Sequence, residues 1–561
     1  MLTETKGNES DVDEAIVKFD NHPSIISIKE KVDVKQRFSF SKISAETIKY
    51  EIDHLDQKKP GTLMYIPSEQ LKKVIDIVSE PLMHIWNNEI VQNKIFPANL
   101  KLADISPIFK KLKNTLVDNY RPVSVLPTVS KIFERIMQKQ MNTFVENFLS
   151  PYLCGYRKGY NSQYALLAMI EKWKLSLDNG EYAGGILMDL SKAFDTINHQ
   201  LLIAKLYAYG FSKNALELLS DYLKNRWQRT KINASFSTWT ELMSGVPQGS
   251  ILGPILFNIY LNDLLYQFTL TDVCNLADDT TPYTCDIDLT YLLSKLESEA
   301  ITAIMWFEAN YMKLNPDKCH FLITGNTPEC LWTKVGDEII WESRSNKLLG
   351  IVIDNKLNFN EHLTILCKKA SAKVTALARL VKIIPMKKKR ILMKSFIQSQ
   401  FSYCPLIWMF CSRKINNRIN YIHERALRLV YNDYNSSFDD LLQNDNSVCI
   451  HHQNIQKVAI EMFKVVNGLC PETLQNLFQR APGLTRSQAC FIRPKVKTVR
   501  NGQQSLRSFG PLVWDTMLPT SFKEIVDLES FKKAIKNWKP DNCTCRLCKT
   551  FVKNIGFITT K

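Results

Sequence analysis

Gly185-Ile186-Leu187-Met188-Asp189-Leu190 and Cys274-Asn275-Leu276-Ala277-Asp278-Asp279-Thr280-Thr281 are the two stretches on which the fold turns. The first reads as an apolar strand closing on a lone carboxylate. The second reads as a hairpin whose tip carries two adjacent carboxylates. Three carboxylates converging on one spot repel one another strongly unless divalent cations neutralise them. Mg²⁺ suits such a place, because it takes hard oxygen ligands and completes its octahedron with phosphate oxygens and water. Two ions held this way serve phosphoryl transfer, one activating the attacking hydroxyl and one steadying the leaving group, with Mn²⁺ as a substitute. Each motif alone has a plainer reading: Asp-Asp before Thr-Thr makes a solvated turn, and Asp189 an N-cap.

The segment between them narrows the choice. Ser244-Gly-Val-Pro-Gln-Gly-Ser-Ile-Leu-Gly-Pro254 combines the turn formers Gly245 and Pro247 with a helix start at Gly249-Ser250. A mostly apolar run follows from Ile251 to Leu265. Gly249 lets the backbone approach a flat base pair, and Gln248 can hydrogen-bond a base or sugar. Order, spacing and chemistry together point to a nucleotide polymerase.

With these motifs in order, the chain resembles the reverse transcriptases of non-LTR (LINE-type) retrotransposons, most closely the Jockey-like group. Met188-Asp189-Leu190-Ser191-Lys192-Ala193-Phe194-Asp195 is similar to that family's first catalytic motif. Gly245 to Ser250 is similar to its template-gripping motif, and Leu276-Ala277-Asp278-Asp279-Thr280 to its second catalytic motif. Flanking matches are Phe96-Pro97 through Pro107-Ile-Phe-Lys-Lys111, Asn119-Tyr-Arg-Pro-Val-Ser124, Gly155-Tyr-Arg-Lys-Gly159 and Met312-Lys-Leu-Asn-Pro-Asp-Lys318. The likeness runs from about residue 36 to the C-terminus.

What the resemblance implies is an α+β right-hand polymerase: fingers, a palm with an antiparallel sheet, a helical thumb, and a helix-rich basic C-terminal region. It implies an RNA template, a DNA primer and deoxyribonucleoside triphosphates as partners. Asp189, Asp278 and Asp279 become the metal ligands, Asp279 the least constant of them, with the backbone carbonyl of Leu190 as a further donor. Phe194, five residues after Asp189, resembles a steric gate against the ribose 2′-hydroxyl; a core phenylalanine at a helix start is the competing reading. Lys110 and Arg121 are candidate clamps for the incoming triphosphate, as phosphoryl transfer requires, and solvated surface cations otherwise. Lys318 is a candidate general acid for the departing pyrophosphate, or a surface lysine. Arg157, Gly249 and the run Lys387-Lys388-Lys389 are candidates for template–primer binding, through phosphates more than bases.

Composition agrees. The chain of 561 residues carries 72 Lys+Arg against 56 Asp+Glu, a formal net charge of +16, as a polyanion binder needs. Its length exceeds one compact core and predicts two to four lobes. No 18-residue uncharged apolar run occurs, which argues against a membrane span. The polar start, Met1-Leu-Thr-Glu-Thr-Lys-Gly, is not a secretory signal, and the 14 cysteines, mostly scattered singly, suit reduced intracellular thiols; nucleus and cytoplasm are not separated. Residues 1–35 read as an extended or disordered lead-in. Residues 36–90 extend the fingers, 91–354 hold fingers and palm, 355–470 a helical thumb, and 471–561 a basic C-terminal region. Gly185 to Leu190 and Lys347 to Ile353 read as strands, while Leu289, Leu292, Leu293 and Leu296 follow helical spacing.

Several residues depart from the family pattern. Leu276 stands where an aromatic is usual, Leu153-Cys154 where a glutamine precedes Gly-Tyr-Arg, and Lys59 to Pro67 lacks an Asp after its glycine. Cys543, Cys545 and Cys548 are three close sulfurs; structural zinc needs a fourth ligand, which His451, His452 or Cys490 would have to supply through the fold. Neither the family's endonuclease nor a ribonuclease H pattern is legible, so a 5′-truncated or fragmentary copy is expected. The alternative to a working polymerase is a decayed or co-opted copy that binds nucleic acid without catalysis. Intact Asp189, Asp278, Asp279 and Gln248 favour the enzyme.

Overall fold

Val12, Ala15 and Phe19 recur at helical spacing amid charged residues, and all three are buried. In the computed structural model, which describes residues 10–56, 66–110, 113–327, 331–481, 490–536 and 538–540, Val12 and Ala15 lie on one face of the helix Ser10–Lys18 and Phe19 follows its last residue. A second helix, Pro23–Lys31, buries Ile25 and Ile28. The lead-in expected to be extended or disordered is therefore helical from residue 10. Its charges are used in ion pairs, Asp11 with Lys224 at 2.5 Å and Asp13 with Lys213 at 2.6 Å. Charge-rich composition hid a short apolar stripe.

The chain divides into two compact units, each built from several stretches. One comprises Met1–Tyr156, Asp189–Thr269 and Ile301–Asp317; the other Arg157–Met188, Leu270–Ala300 and Lys318–Lys561. The division does not follow the linear boundaries expected from sequence.

In the first unit, strand Leu102–Phe109 lies between Tyr120–Val125, antiparallel to it, and Trp227–Ile232, parallel to it. Asp104 and Arg229, paired across the parallel register, are joined at 2.8 Å. Helices Thr128–Val145, His199–Ala208, Lys213–Leu223 and Gly253–Leu261 supply the core; the last is buried at nearly every position, as its mostly apolar run predicts. Inside it, Lys205 and Asp263 form a fully buried pair at 2.6 Å. Lys205 also donates to Tyr260 O, and Trp306 Nε1 donates to the other oxygen of Asp263. Burial draws the Lys205 ammonium down to about 8. Removing either partner would strand a charge in the core, the costly case for such pairs.

In the second unit the sheet is wholly antiparallel, ordered His320–Thr324, Tyr182–Leu187, Asp279–Asp286, Asp272–Leu276. Helix Ser162–Asn179 packs on it, Trp173 meeting Tyr283 edge-on with ring centroids 6.5 Å apart. Pro282 stands in an inner strand, where a residue without N–H is unusual. The pairing between Tyr182–Leu187 and Asp279–Asp286 skips this position and resumes at Met188 and Thr280. Lys347 to Ile353 is not one strand: it folds back at Leu349 (φ 45°) and Gly350 (φ 84°) into the hairpin Ser345–Leu348 and Ile351–Asp354. Helices dominate thereafter, among them Asn360–Leu380, Arg413–Tyr431 and Ile450–Val466. Phe463 of the last stacks on Phe531 at 4.4 Å. Among the described residues no helix is long and apolar enough to cross a membrane.

Candidate active site

The strands flanking Asp278 and Asp279 alternate about a two-residue loop, Ala277-Asp278, closed by the pair Leu276 and Asp279. Such tight loops need a positive φ at a central residue, and Ala277 supplies it at 57°. What holds an alanine there is Asn275. Its buried Nδ2 donates to the carbonyls of Ala277 (3.1 Å) and Asp279 (3.3 Å) and to Thr280 Oγ1 (3.0 Å). The two carboxylates, both half-buried, thus sit on a braced turn. Met188 N–H donates to Thr280 O at 2.9 Å, carrying the neighbouring strand to the residue that precedes Asp189 in the chain. Leu276, where an aromatic was usual, is half-buried at the hairpin end.

Within the first unit, Asp189 is fixed by its carbonyl, which accepts from Asn315 N–H at 2.9 Å. The same antiparallel register pairs Leu190 with Leu314 and Ser191 with Lys313. Bonded and non-bonded pairs alternate in such a ladder, so with Asp189–Asn315 bonded, the Leu190 carbonyl points away from Leu314. That orientation leaves it outside this ladder, as a candidate ligand requires.

Beyond it the chain turns at Lys192 (φ 50°) and meets the glycine-rich segment. Val246 N–H donates to Phe194 O (2.9 Å), Gly245 N–H to Ile197 O (2.8 Å), and Gln248 Nε2 to Asp195 Oδ1 (3.0 Å). A side chain at Gly245 would collide with the Phe194 carbonyl and Asp195 Cα, both 2.6 Å from its Cβ. Gln248 O accepts from Ser124 N–H at 2.7 Å, so this segment is tied to strand Tyr120–Val125. Phe194 lies nearly parallel to Phe257, ring centroids 4.4 Å apart, with Tyr156 edge-on at 6.0 Å. It is half-buried: its position is fixed, and part of the ring is open.

Lys110 and Arg121 are both exposed. Ile108 faces Arg121 across the strand pair, and Lys110 N–H donates to Asn119 O at 2.8 Å in the same register. Lys110 and Arg121 are therefore diagonal neighbours on one face, about 7–8 Å apart at the backbone. Two cations at that spacing can share one polyphosphate.

Glu134 and Asn275 escaped the sequence reading. Glu134 is fully buried, its Oε2 accepting from Ile251 N–H at 2.6 Å and its Oε1 from Ser130 Oγ at 3.1 Å. It anchors the start of the run after Gly249-Ser250, while burial pushes its carboxyl upward. The one signal for both residues was a polar side chain interrupting an apolar run.

The other candidates lie within the second unit. Arg157 lies over the Tyr160 ring at 4.1 Å. Lys318 is exposed at the end of a short turn, Pro316–Lys318. In helix Met386–Leu392, Lys387 and Lys388 are exposed but Lys389 is buried, only 8% exposed. Consecutive helical residues point about 100° apart, so three cannot share a face. Cys543, Cys545 and Cys548 lie outside the described residues. Among those described, no group of three or more His, Cys, Asp and Glu side chains is gathered to hold a metal ion.

Residues 110–353 match the family model described as reverse transcriptase (RNA-dependent DNA polymerase). The chain is 26% identical over 414 residues to the RNA-directed DNA polymerase from mobile element jockey of Drosophila melanogaster, covering 70% of this chain and 44% of that protein. To the protein of the same name in Drosophila funebris it is 24% identical over 406 residues, 69% of this chain and 44% of the relative. To the probable RNA-directed DNA polymerase from transposon X-element of Drosophila melanogaster it is 27% identical over 369 residues, 61% and 39%. The chain thus spans less than half the length of these curated relatives.

Proposed function

We propose, on the premise that residues 110–353 are a reverse transcriptase domain of the non-LTR retrotransposon kind, that this chain is an RNA-directed DNA polymerase. Its substrates would be an RNA template, a DNA primer and deoxyribonucleoside triphosphates. The observation that carries the reading is the braced turn: Asp278 and Asp279 held on a two-residue loop by Asn275.

The donor set suits Mg²⁺, being carboxylate oxygens and one carbonyl, all hard ligands. Asp189, Asp278 and Asp279 would hold the ions together with Leu190 O. Mg²⁺ ordinarily takes one or two carboxylates and completes its shell with substrate phosphates and water, so a ready-made protein cage is not required. When bound, two such ions supply activation of the primer 3′-hydroxyl and neutralisation of the leaving pyrophosphate.

The chain's own residues do the rest. Lys110 and Arg121, on one face of their strand pair, would orient the triphosphate by charge. Phe194, fixed against Phe257, would fill the space of a 2′-hydroxyl. Gln248, tied to Asp195 and to Ser124, would hold the backbone of the Gly245–Ser250 segment flat against the templating pair. Lys318 would donate a proton to the departing pyrophosphate. Lys387 and Lys388 would contact duplex phosphates. Lys389, being buried, is omitted from that role.

Primer extension on an RNA template with Mg²⁺ tests this. Asp278→Asn should reduce synthesis to no more than a few per cent while template–primer binding, measured by anisotropy, stays within about twofold. Substantial synthesis by Asp278→Asn, or none by the unaltered chain under any divalent cation, overturns the reading.

A further inference from the structure

A cavity of about 840 Å³ lies within the second unit, between the first turns of two long helices and the segment around Arg500. Pockets of roughly 300–1,000 Å³ are the size that encloses a small ligand. The chemistry of this one is lopsided. Lys174, Arg413 and Arg500 line it, and among the described lining residues none is acidic.

Two of the three cations are held by contacts, and Lys174 also lies 3.9 Å from Glu171 Oε1. Lys174 is buried in helix Ser162–Asn179, its Nζ donating to Gln504 O at 2.9 Å and lying 5.4 Å from the Phe410 ring centroid. Arg500 Nη2 donates to Lys356 O at 2.5 Å. Arg413 is the first residue of helix Arg413–Tyr431, whose N-cap Ser412 also lines the cavity. At the start of the second helix, Asn360–Leu380, the Asp354 carboxylate already accepts from the N–H groups of Asn358 and Phe359, the latter at 2.7 Å. Only helix Arg413–Tyr431 therefore brings a start without a carboxylate to the cavity, and the exposed guanidinium groups of Arg413 and Arg500 are what favour an anion there.

The rest of the lining is not what a bare phosphate needs. Phe359, Ile407, Trp408 and Phe410 form an apolar and aromatic wall, and Asn358 and Gln504 add amides. A ligand that fits must join a phosphate to a flat, partly apolar ring with hydrogen-bonding edges. We propose that this cavity binds a nucleotide, its phosphate toward Arg413 and Arg500 and its base against the half-buried Phe410 ring, with Phe359, Ile407 and Trp408 buried behind it, as a site separate from the residues assigned to polymerisation. The same chemistry arises from a free nucleotide or from one nucleotide of a single strand, where aromatic stacking and cationic grooves combine in the same way. Binding there requires no polymerase activity.

The test uses the full chain in EDTA without deoxyribonucleoside triphosphates. Photocrosslinking with 8-azidoadenosine 5′-monophosphate, and separately with a ten-nucleotide single-stranded RNA bearing 4-thiouridine, should label peptides containing Phe359, residues 407–413 or residues 499–504. The double variant Arg413→Gln/Arg500→Gln should weaken binding of the effective probe at least tenfold. Labelling by the mononucleotide assigns a free nucleotide; labelling by the RNA alone assigns a strand. Crosslinks that map only elsewhere overturn the proposal, and because they are made on the unaltered chain they decide even if the double variant fails to fold. A folded double variant that binds both probes within twofold of the unaltered chain also overturns it.

Discussion

Replacing Gly249 by alanine should damage the Gly245–Ser250 segment from a single atom. Gly249 has φ 126°, outside the small left-handed region that other residues visit. A Cβ built there would lie 2.5 Å from Ser124 O, and real Cβ contacts below 3.0 Å essentially do not occur. Because that oxygen belongs to the backbone, the two segments must separate by about half an ångström. They are joined at this point by Ser124 N–H to Gln248 O, 2.7 Å long, which would stretch to about 3.2 Å, the edge of a useful hydrogen bond. Forced φ costs about 1–3 kcal/mol and a weakened backbone bond about 0.5–1.5 kcal/mol. At this φ the upper end applies, so about 3–4 kcal/mol is expected. Gly159 provides the comparison: φ is +86° and no atom lies within 4 Å, so alanine there meets backbone strain alone, about 1–2 kcal/mol. Denaturant unfolding of both variants, read as midpoint shifts at constant slope, gives the two losses. Extension by Gly249→Ala should fall as well, since the moved segment carries Gln248. A Gly249→Ala shift no larger than that of Gly159→Ala, with extension intact, would refute the close-approach argument.

Three further outcomes follow from the same geometry. His423 is buried against Gln398 and burial lowers its imidazole from 6.5 to about 4. The unfolded chain therefore takes up a proton that the folded chain refuses: the full stability is present above about pH 6.5 and is lost as pH falls toward about 4. Between pH 7.5 and 5 the loss should be about 2 kcal/mol for this residue, and His423→Gln should flatten the dependence; an unchanged slope rejects it. Phe194→Val should raise ribonucleotide incorporation relative to deoxyribonucleotide, read as a ratio of kcat/KM values, whereas a lowered Tm with an unaltered ratio would make the ring a core residue. Lys387→Ala with Lys388→Ala should reduce the slope of log affinity against log salt by up to about 0.9 per lost contact with duplex DNA; an unchanged slope makes them a solvated face.

The hairpin was legible because short apolar runs flanked an acidic pair, and strand periodicity places such a pair at a tip without knowledge of anything distant. The turn itself was not. Ala277 holds φ 57° because Asn275 reaches three acceptors across the loop, and no propensity scale assigns an asparagine in Val-Cys-Asn-Leu that task. Glu134 is the same case at longer range: it caps Ile251, 117 positions away, and a sequence carries no distance information at that separation. Residues 10–31 were missed for the opposite reason. Their charged residues are as many as their apolar ones, yet Val12, Ala15, Phe19, Ile25 and Ile28 suffice as one buried stripe each to dock two short helices. Lys389 shows the limit of reading charge as surface. Three adjacent lysines look like one patch on the page, but a helix turns them about 100° apart and sends one inward. For Asn275 and Glu134 local pattern fixed which element forms, and the three-dimensional contacts fixed what the polar atoms do. Substituting Asn275 or Glu134 should therefore disturb the candidate site while leaving the surrounding strands and helices formed.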